Sequence, residues 1–176
     1  QTAAMLAYDG IAFRYMAPNV FEDRMVDYVQ EHLRIISGLY GVLRPLDGVS
    51  PYRLEMQAPL KTEGHDDLYS YWGSRIHDAV FEDDDLVINL ASKEYSRCVQ
   101  DYLKEGENFI DVSFAELKDS KPVIRATYAK MARGEMVRFL SDRGAESAEV
   151  MKEFTGLGFH YDETLSSDHD YWFLRK

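Results

Sequence analysis

A single cysteine, Cys98, stands among 176 residues. That excludes an internal disulfide and any thiolate spacing for zinc or an iron–sulfur cluster, and it suits a reducing cytoplasm. No apolar run reaches the eighteen or so residues that span a bilayer, so no membrane partner is expected. The histidines (His32, His65, His77, His160 and His169) are scattered, and no pair has the helical spacing of a zinc ligand set. A nucleophile elbow, a P-loop and a dinucleotide fingerprint are also missing. No metal, no cofactor and no catalytic residue is therefore assigned. Neither a linker, a repeat nor a low-complexity tract interrupts the chain, and 1–176 is read as one domain.

Positive charge is scarce overall. A formal net charge of −11 argues against non-specific nucleic-acid binding by the molecule as a whole. Its distribution points the other way. From Lys121 to Arg143 there are six basic residues (Lys121, Arg125, Lys130, Arg133, Arg138 and Arg143) against the acids Glu135 and Asp142, while acids concentrate at Glu82–Asp85. That acidic run lacks the glycine and spaced oxygen ligands of a calcium loop and reads as solvated. What the chain does have is core material: 45% hydrophobic and 13% aromatic residues exclude a disordered protein.

Apolar alternation around Asp9-Gly10 reads Ala4–Tyr15 as strand-like with a turn. Asn19 with Glu22 predicts a capped helix ending near Glu31, followed by a buried strand at Leu33–Ile36 and an irregular loop from Ser37. Tyr52, Leu54 and Met56 alternate with Arg53 and Glu55 as a strand would. Asp66 is a candidate cap for a helix carrying the stripe Leu68, Trp72, Ile76 and Val80. Leu86–Leu90 reads as a short buried strand, Lys93 to about Lys104 as a helix capped by Ser92, and Phe109–Phe114 and Val123–Thr127 as further strands. Helices follow near Ala129–Asp142 and Ala145–Phe154, and strands near Phe159–Tyr161 and Tyr171–Leu174 close the pattern. The fold class is mixed α/β: a central mixed β-sheet with flanking helices and a C-terminal antiparallel hairpin.

Three predicted strands end alike, in Ser37 and Tyr40, in Ser92 and Tyr95, and in Thr127 and Tyr128. Lying parallel, they would gather hydroxyls and phenols at one rim, where open α/β sheets place ligands. Ser37, Tyr40, Ser92, Tyr95 and Tyr128, with Arg53, are the pocket candidates, although Arg53 beside Glu55 reads foremost as a surface ion pair. The Gly38–Gly41 pair can present backbone N–H groups to a phosphate, and Arg44, Lys93, Lys130, Arg133 and Arg138 supply cations for largely sequence-independent phosphate contacts.

Five ordered blocks carry a resemblance: SGLYGVLRPLD with PYRLEM (37–56), Asp67-Leu68-Tyr69 with Trp72-Gly73, Val87–Ser92 with Glu94-Tyr95, Tyr128–Lys130 with Ala132–Gly134, and Phe154–Gly156. Together they resemble the YaaA family of bacterial peroxide-stress proteins. The resemblance implies a cytoplasmic protein that limits unincorporated iron and oxidative DNA damage. It also implies binding to double-stranded or branched DNA through a helix-hairpin-helix-like element. That motif usually separates its glycines by one residue, whereas two intervene between Gly38 and Gly41. Because the chain offers no iron-binding cluster, an effect on iron is read as indirect. The rival reading is an enzyme acting on a phosphate-bearing small molecule or nucleic-acid end at the strand rim. Members of the family normally begin with a further segment, so Gln1 is read as the start of a fragment. A sheet short of such a segment is expected to show an open edge with exposed apolar surface, or a second copy covering it.

Overall fold

The computed structural model describes residues 1–175. After the two-residue strand β1 (Thr2–Ala3), the chain turns into two short helices, α1 (Ala4–Ala7) and α2 (Ile11–Met16). The strand and turn expected over Ala4–Tyr15 do not form. Ala, Leu and Met are strong helix formers, and Gly10 serves as the N-terminal boundary of α2 rather than as a hairpin turn. Asn19 lies in a 3₁₀ turn (Pro18–Val20), so it caps nothing; α3 (Asp23–His32) starts after Glu22 and buries Met25 and Val29, four residues apart.

β2 (Ile35–Ser37) and β3 (Gly41–Leu43) pair antiparallel, Ile35 opposite Leu43 and Ser37 opposite Gly41. The predicted irregular loop is thus a tight hairpin. β4 (Gly48–Val49) returns to pair with β1. Residues 51–56 join no ladder, yet Met56 is buried while Arg53 and Glu55 are exposed, so the alternation is real without a partner strand. The next helix breaks in two at Gly73 (φ 53°, ψ −137°), giving α4 (Leu68–Trp72) and α5 (Arg75–Val80). Asp67 caps α4, accepting from the Ser70 N–H at 2.7 Å; Asp66 does not. The stripe Leu68, Trp72, Ile76 and Val80 survives the break and packs with Met56, Cys98, Val99 and Phe109.

β5 (Leu86–Asn89), α6 (Lys93–Gln100) and β6 (Asn108–Lys118) form a parallel crossover, Val87 opposite Phe109 and Asn89 opposite Asp111. β7 (Lys121–Val123) folds back antiparallel on β6, and α7 (Ala126–Arg143) follows directly, so Ala126 and Thr127 open a helix and do not end a strand. The helix expected over Ala145–Phe154 is a 3₁₀ stretch at Ala148–Glu153. β8 (His160–Tyr161) and β9 (Asp170–Arg175) pair antiparallel, and β9 also lies parallel to β6. The sheet order is β5-β6-β9-β8, with β7 on the β5 side of β6. β2 belongs to a separate hairpin and β7 is antiparallel. The three strands expected to run parallel into one rim therefore do not.

The main core lies between this sheet and α7. Phe114, Phe154, Phe159 and Phe173 pack on Ala129, Ala132, Met136 and Leu140 of the helix. On its other side α7 crosses α2 at Gly134.

Candidate functional site: a groove beside helix α7

α7 is the longest helix among the described residues, and its 3.6-residue period sorts its side chains. Ala129, Ala132 and Met136 enter the core, while Lys130, Arg133 and Val137 face a groove of about 1210 Å³. α2, α3 and β5 also line the groove, as do Arg34, Arg44 and Asp83.

Charge pairing separates the cations of α7 into two sets. Those near its ends are neutralised: Arg125 reaches Glu116 at 3.6 Å and Arg143 reaches Glu153 at 2.8 Å. Lys130, Arg133 and Arg138 form no ion pair among the described residues. Arg133 is half-buried, its Nε has no hydrogen-bond partner, and burial pushes its pKa down. A desolvated guanidinium without a counter-charge is energetically unfavourable, and a bound anion would offset that cost. In the same lining Arg34 and Arg44 share one carboxylate oxygen, Asp83 Oδ2, each at 2.9 Å, beside Asp84 and Glu31. The structure thus brings Arg44, Lys130 and Arg133 to one groove. Arg138 is exposed outside its lining, and Lys93 is exposed on the first turn of α6, also outside it.

A family model described as Peroxide stress protein YaaA matches residues 1–165. This chain belongs to the YaaA peroxide stress protein family. Its relatives include a UPF0246 protein of Agathobacter rectalis, 51% identical over 175 residues, which are 99% of this chain and 70% of the relative. A UPF0246 protein of Desulfitobacterium hafniense is 49% identical over 98% of this chain and 68% of its own length. One of Lachnoclostridium phytofermentans is 47% identical over 99% and 68%.

In this YaaA-family chain the double-glycine loop has a packing role. A Cβ at Gly38 would stand 2.7 Å from the Leu54 carbonyl oxygen, and one at Gly41 (φ 77°) would stand 2.9 Å from the Trp72 ring. The Trp72 indole N–H donates to the Gly38 carbonyl at 3.0 Å. Ser37 Oγ accepts the N–H groups of Leu39 (3.2 Å) and Tyr40 (3.0 Å), so these two loop amides between the glycines are satisfied within the hairpin. Ser37 is 1% exposed and is not among the residues that line the groove. Its hydroxyl meets the Tyr52 hydroxyl at 2.6 Å, which meets that of Tyr8 at 2.6 Å. Burial, with the Tyr52 hydrogen bond, pushes the Tyr8 phenol above its ordinary range. Tyr40 packs edge-on against Tyr52 and accepts the Ser50 N–H at 3.2 Å.

The remaining pocket candidates disperse. Ser92 and Tyr95 line the groove where β5 leads into α6; Ser92 makes no side-chain cap, and burial raises the Tyr95 pKa. Tyr128 sits under the Arg175 guanidinium, 3.8 Å from ring centre to Cζ, and Arg53 is exposed with Glu55 at 3.9 Å. Two clusters carried no sequence signal. Tyr8–Tyr52–Ser37 joins residues 44 and 15 positions apart. Asp111, on β6, accepts from Asn89 Nδ2 at 2.6 Å and from Gln100 Nε2 at 2.9 Å. Only the neighbouring strand register brings Asn89 beside Asp111. Cys98 is buried, and burial pushes its thiol up to about 11, which makes it unreactive. Among the described residues no three His, Cys, Asp or Glu side chains gather as a metal site, and no helix is long and apolar enough to cross a membrane.

Proposed function

We propose that this chain serves the peroxide-stress role of its family in the cytoplasm by binding the DNA phosphate backbone along the α7 side of the groove. Occupation of the backbone there limits oxidative damage to the DNA, and any change in free iron follows indirectly. One observation carries this reading: in a chain of net charge −11, Lys130 and Arg133 in the groove, with Arg138 beyond its lining, form no ion pair among the described residues, and Arg133 is also desolvated. Arg44, held with Arg34 on Asp83, adds a further cation to the same lining. Contacts of this kind are indifferent to base sequence.

Fluorescence anisotropy with a labelled duplex across a salt series tests the reading. Each phosphate neutralised contributes about −0.9 to the slope of log affinity against log salt. Lys130→Ala and Arg133→Ala are each expected to weaken binding and to make that slope shallower by about 0.9. Unchanged affinity and slope in both variants overturn it.

A further inference from the structure

His77 on α5 is fully buried, and both of its ring nitrogens face carboxylates. Nε2 lies 2.7 Å from Glu107 Oε2, and Nδ1 lies 3.0 Å from Asp78 Oδ1. An ionised carboxylate only accepts, so each contact needs a proton on the ring, whereas a neutral imidazole has one proton for two nitrogens. Only the imidazolium supplies both. Neither carboxylate takes the proton instead. Hydrogen bonds from Lys104, His77 and Ser74 hold the Asp78 carboxyl well below its ordinary range. Burial pushes the Glu107 carboxyl up, but its bonds to His77 and to the Lys104 N–H outweigh that and leave it below its ordinary range.

What this ring fastens is a turn with no apolar residue of its own. Lys104-Glu105-Gly106-Glu107 leads from the end of α6 into β6. The turn closes on itself where Glu107 Oε2 accepts the Lys104 N–H at 2.8 Å, and it reaches α5 where the Lys104 ammonium donates to Asp78 Oδ1 at 2.9 Å. Two cations, His77 and Lys104, then balance two carboxylates, Asp78 and Glu107. Removing one ring proton leaves the cluster with a net negative charge, and Glu107, only 13% exposed at its side chain, loses the counter-charge that offsets its desolvation. Of the elements packed on α5, α6 has its Arg97 paired with Asp101 at 3.0 Å, and β3 (Gly41–Leu43) holds no titratable residue. Glu105 in the turn is exposed, and the Phe81 ring of α5 lies against the imidazole, 5.0 Å between centres.

We propose that His77 is held as an imidazolium that clips the Lys104–Glu107 turn to α5, and that loss of one ring proton unfastens the turn. The clip is complete where both carboxylates are ionised and the ring is charged, and it is lost as pH rises and the ring gives up a proton. None of its four charged residues lines the groove, so the proposal does not rest on DNA binding.

The test is a pH titration of the chain by nuclear magnetic resonance that follows the ring nitrogens of His77 and the amides of Gly106 and Glu107, with the exposed His160 as reference. At about pH 7.5 an unperturbed imidazole is roughly nine-tenths neutral, yet both His77 nitrogens are expected to carry protons. On further alkalinisation one proton is lost, and the two turn amides are expected to shift with the same midpoint. Glu107→Gln keeps an acceptor but removes its charge, and it is expected to weaken the ring's hold on the second proton by about tenfold or more. Should that variant not fold, the titration of the unaltered chain still decides. A His77 ring with a single proton at about pH 7.5, or turn amides that stay fixed while the ring titrates, would overturn the proposal. So would a ring that keeps both protons until the whole chain unfolds, or an unchanged proton affinity in folded Glu107→Gln.

Discussion

Gly134 is the point where α7 touches α2, and replacing it with alanine tests the packing that shapes the groove. A Cβ there would overlap the Ala12 carbonyl oxygen and stand 2.8 Å from both the Ala12 carbonyl carbon and the Met16 nitrogen. All three atoms are backbone, so no side-chain rotation relieves the overlap. Comfortable contact between such atoms begins near 3.5 Å, so without local bending the helices must part by more than about 1 Å, forfeiting about half of the dispersion attraction at each contact between them. Overpacking of this kind costs about 1–3 kcal/mol, and a backbone obstacle belongs at the upper end. Alanine returns about 1 kcal/mol of helix propensity. The net expectation is a destabilisation of about 2 kcal/mol, read as a lower urea midpoint at unchanged slope and a melting temperature lower by about 4–8 °C. An exposed helical glycine would respond with the opposite sign. A Gly134→Ala protein as stable as the parent, or more stable, would refute the close crossing of α2 and α7.

Two further outcomes follow from polar groups outside the groove's lining. Tyr52→Phe removes both hydrogen bonds that join Ser37 and Tyr8, and about 1–2 kcal/mol is expected in urea denaturation; a Tyr52→Phe, Tyr8→Phe cycle should be non-additive, and strict additivity would mean the hydroxyls do not interact. The Lys104 ammonium, donating to Asp78 Oδ1 at 2.9 Å, together with His77 and Ser74, holds the Asp78 carboxyl well below the usual range. A depressed carboxyl stabilises the fold above its unfolded pKa and loses that contribution as pH falls through the folded one. Lys104→Met should therefore narrow the stability difference between about pH 6 and about pH 2, and an undiminished difference would show that the pair is inert.

The parts of the fold legible in the sequence are those where one local pattern had no competitor. Leu86–Leu90 and Phe109–Phe114 fall on β5 and β6, and the stripe from Leu68 to Val80 is core even though Gly73 splits its helix. Ala4–Tyr15 is ambiguous in its apolar spacing, which suits either period; helix propensity, with the packing of α2 on Gly134 of α7, selects helix. Val123–Thr127 is rich in β-branched residues, yet the strand ends at Val123 and α7 begins at Ala126. At the site, the density of basic residues on α7 was visible, but which of them stay unpaired was not. Arg34 and Arg44 meet Asp83 across 49 and 39 residues, and no local rule anticipates such a pair.

β9 sits between β6 and β8, although it follows both in the chain. Its register from Asp111–Asp170 to Glu116–Arg175 joins positions 59 residues apart. During synthesis, then, Phe114 and Phe159 emerge well before Phe173, the ring that is packed against β6 from within β9. Until those late residues arrive, the nascent chain carries a gap in the middle of its sheet, a slow, non-local closure that leaves it exposed to aggregation and to chaperone capture.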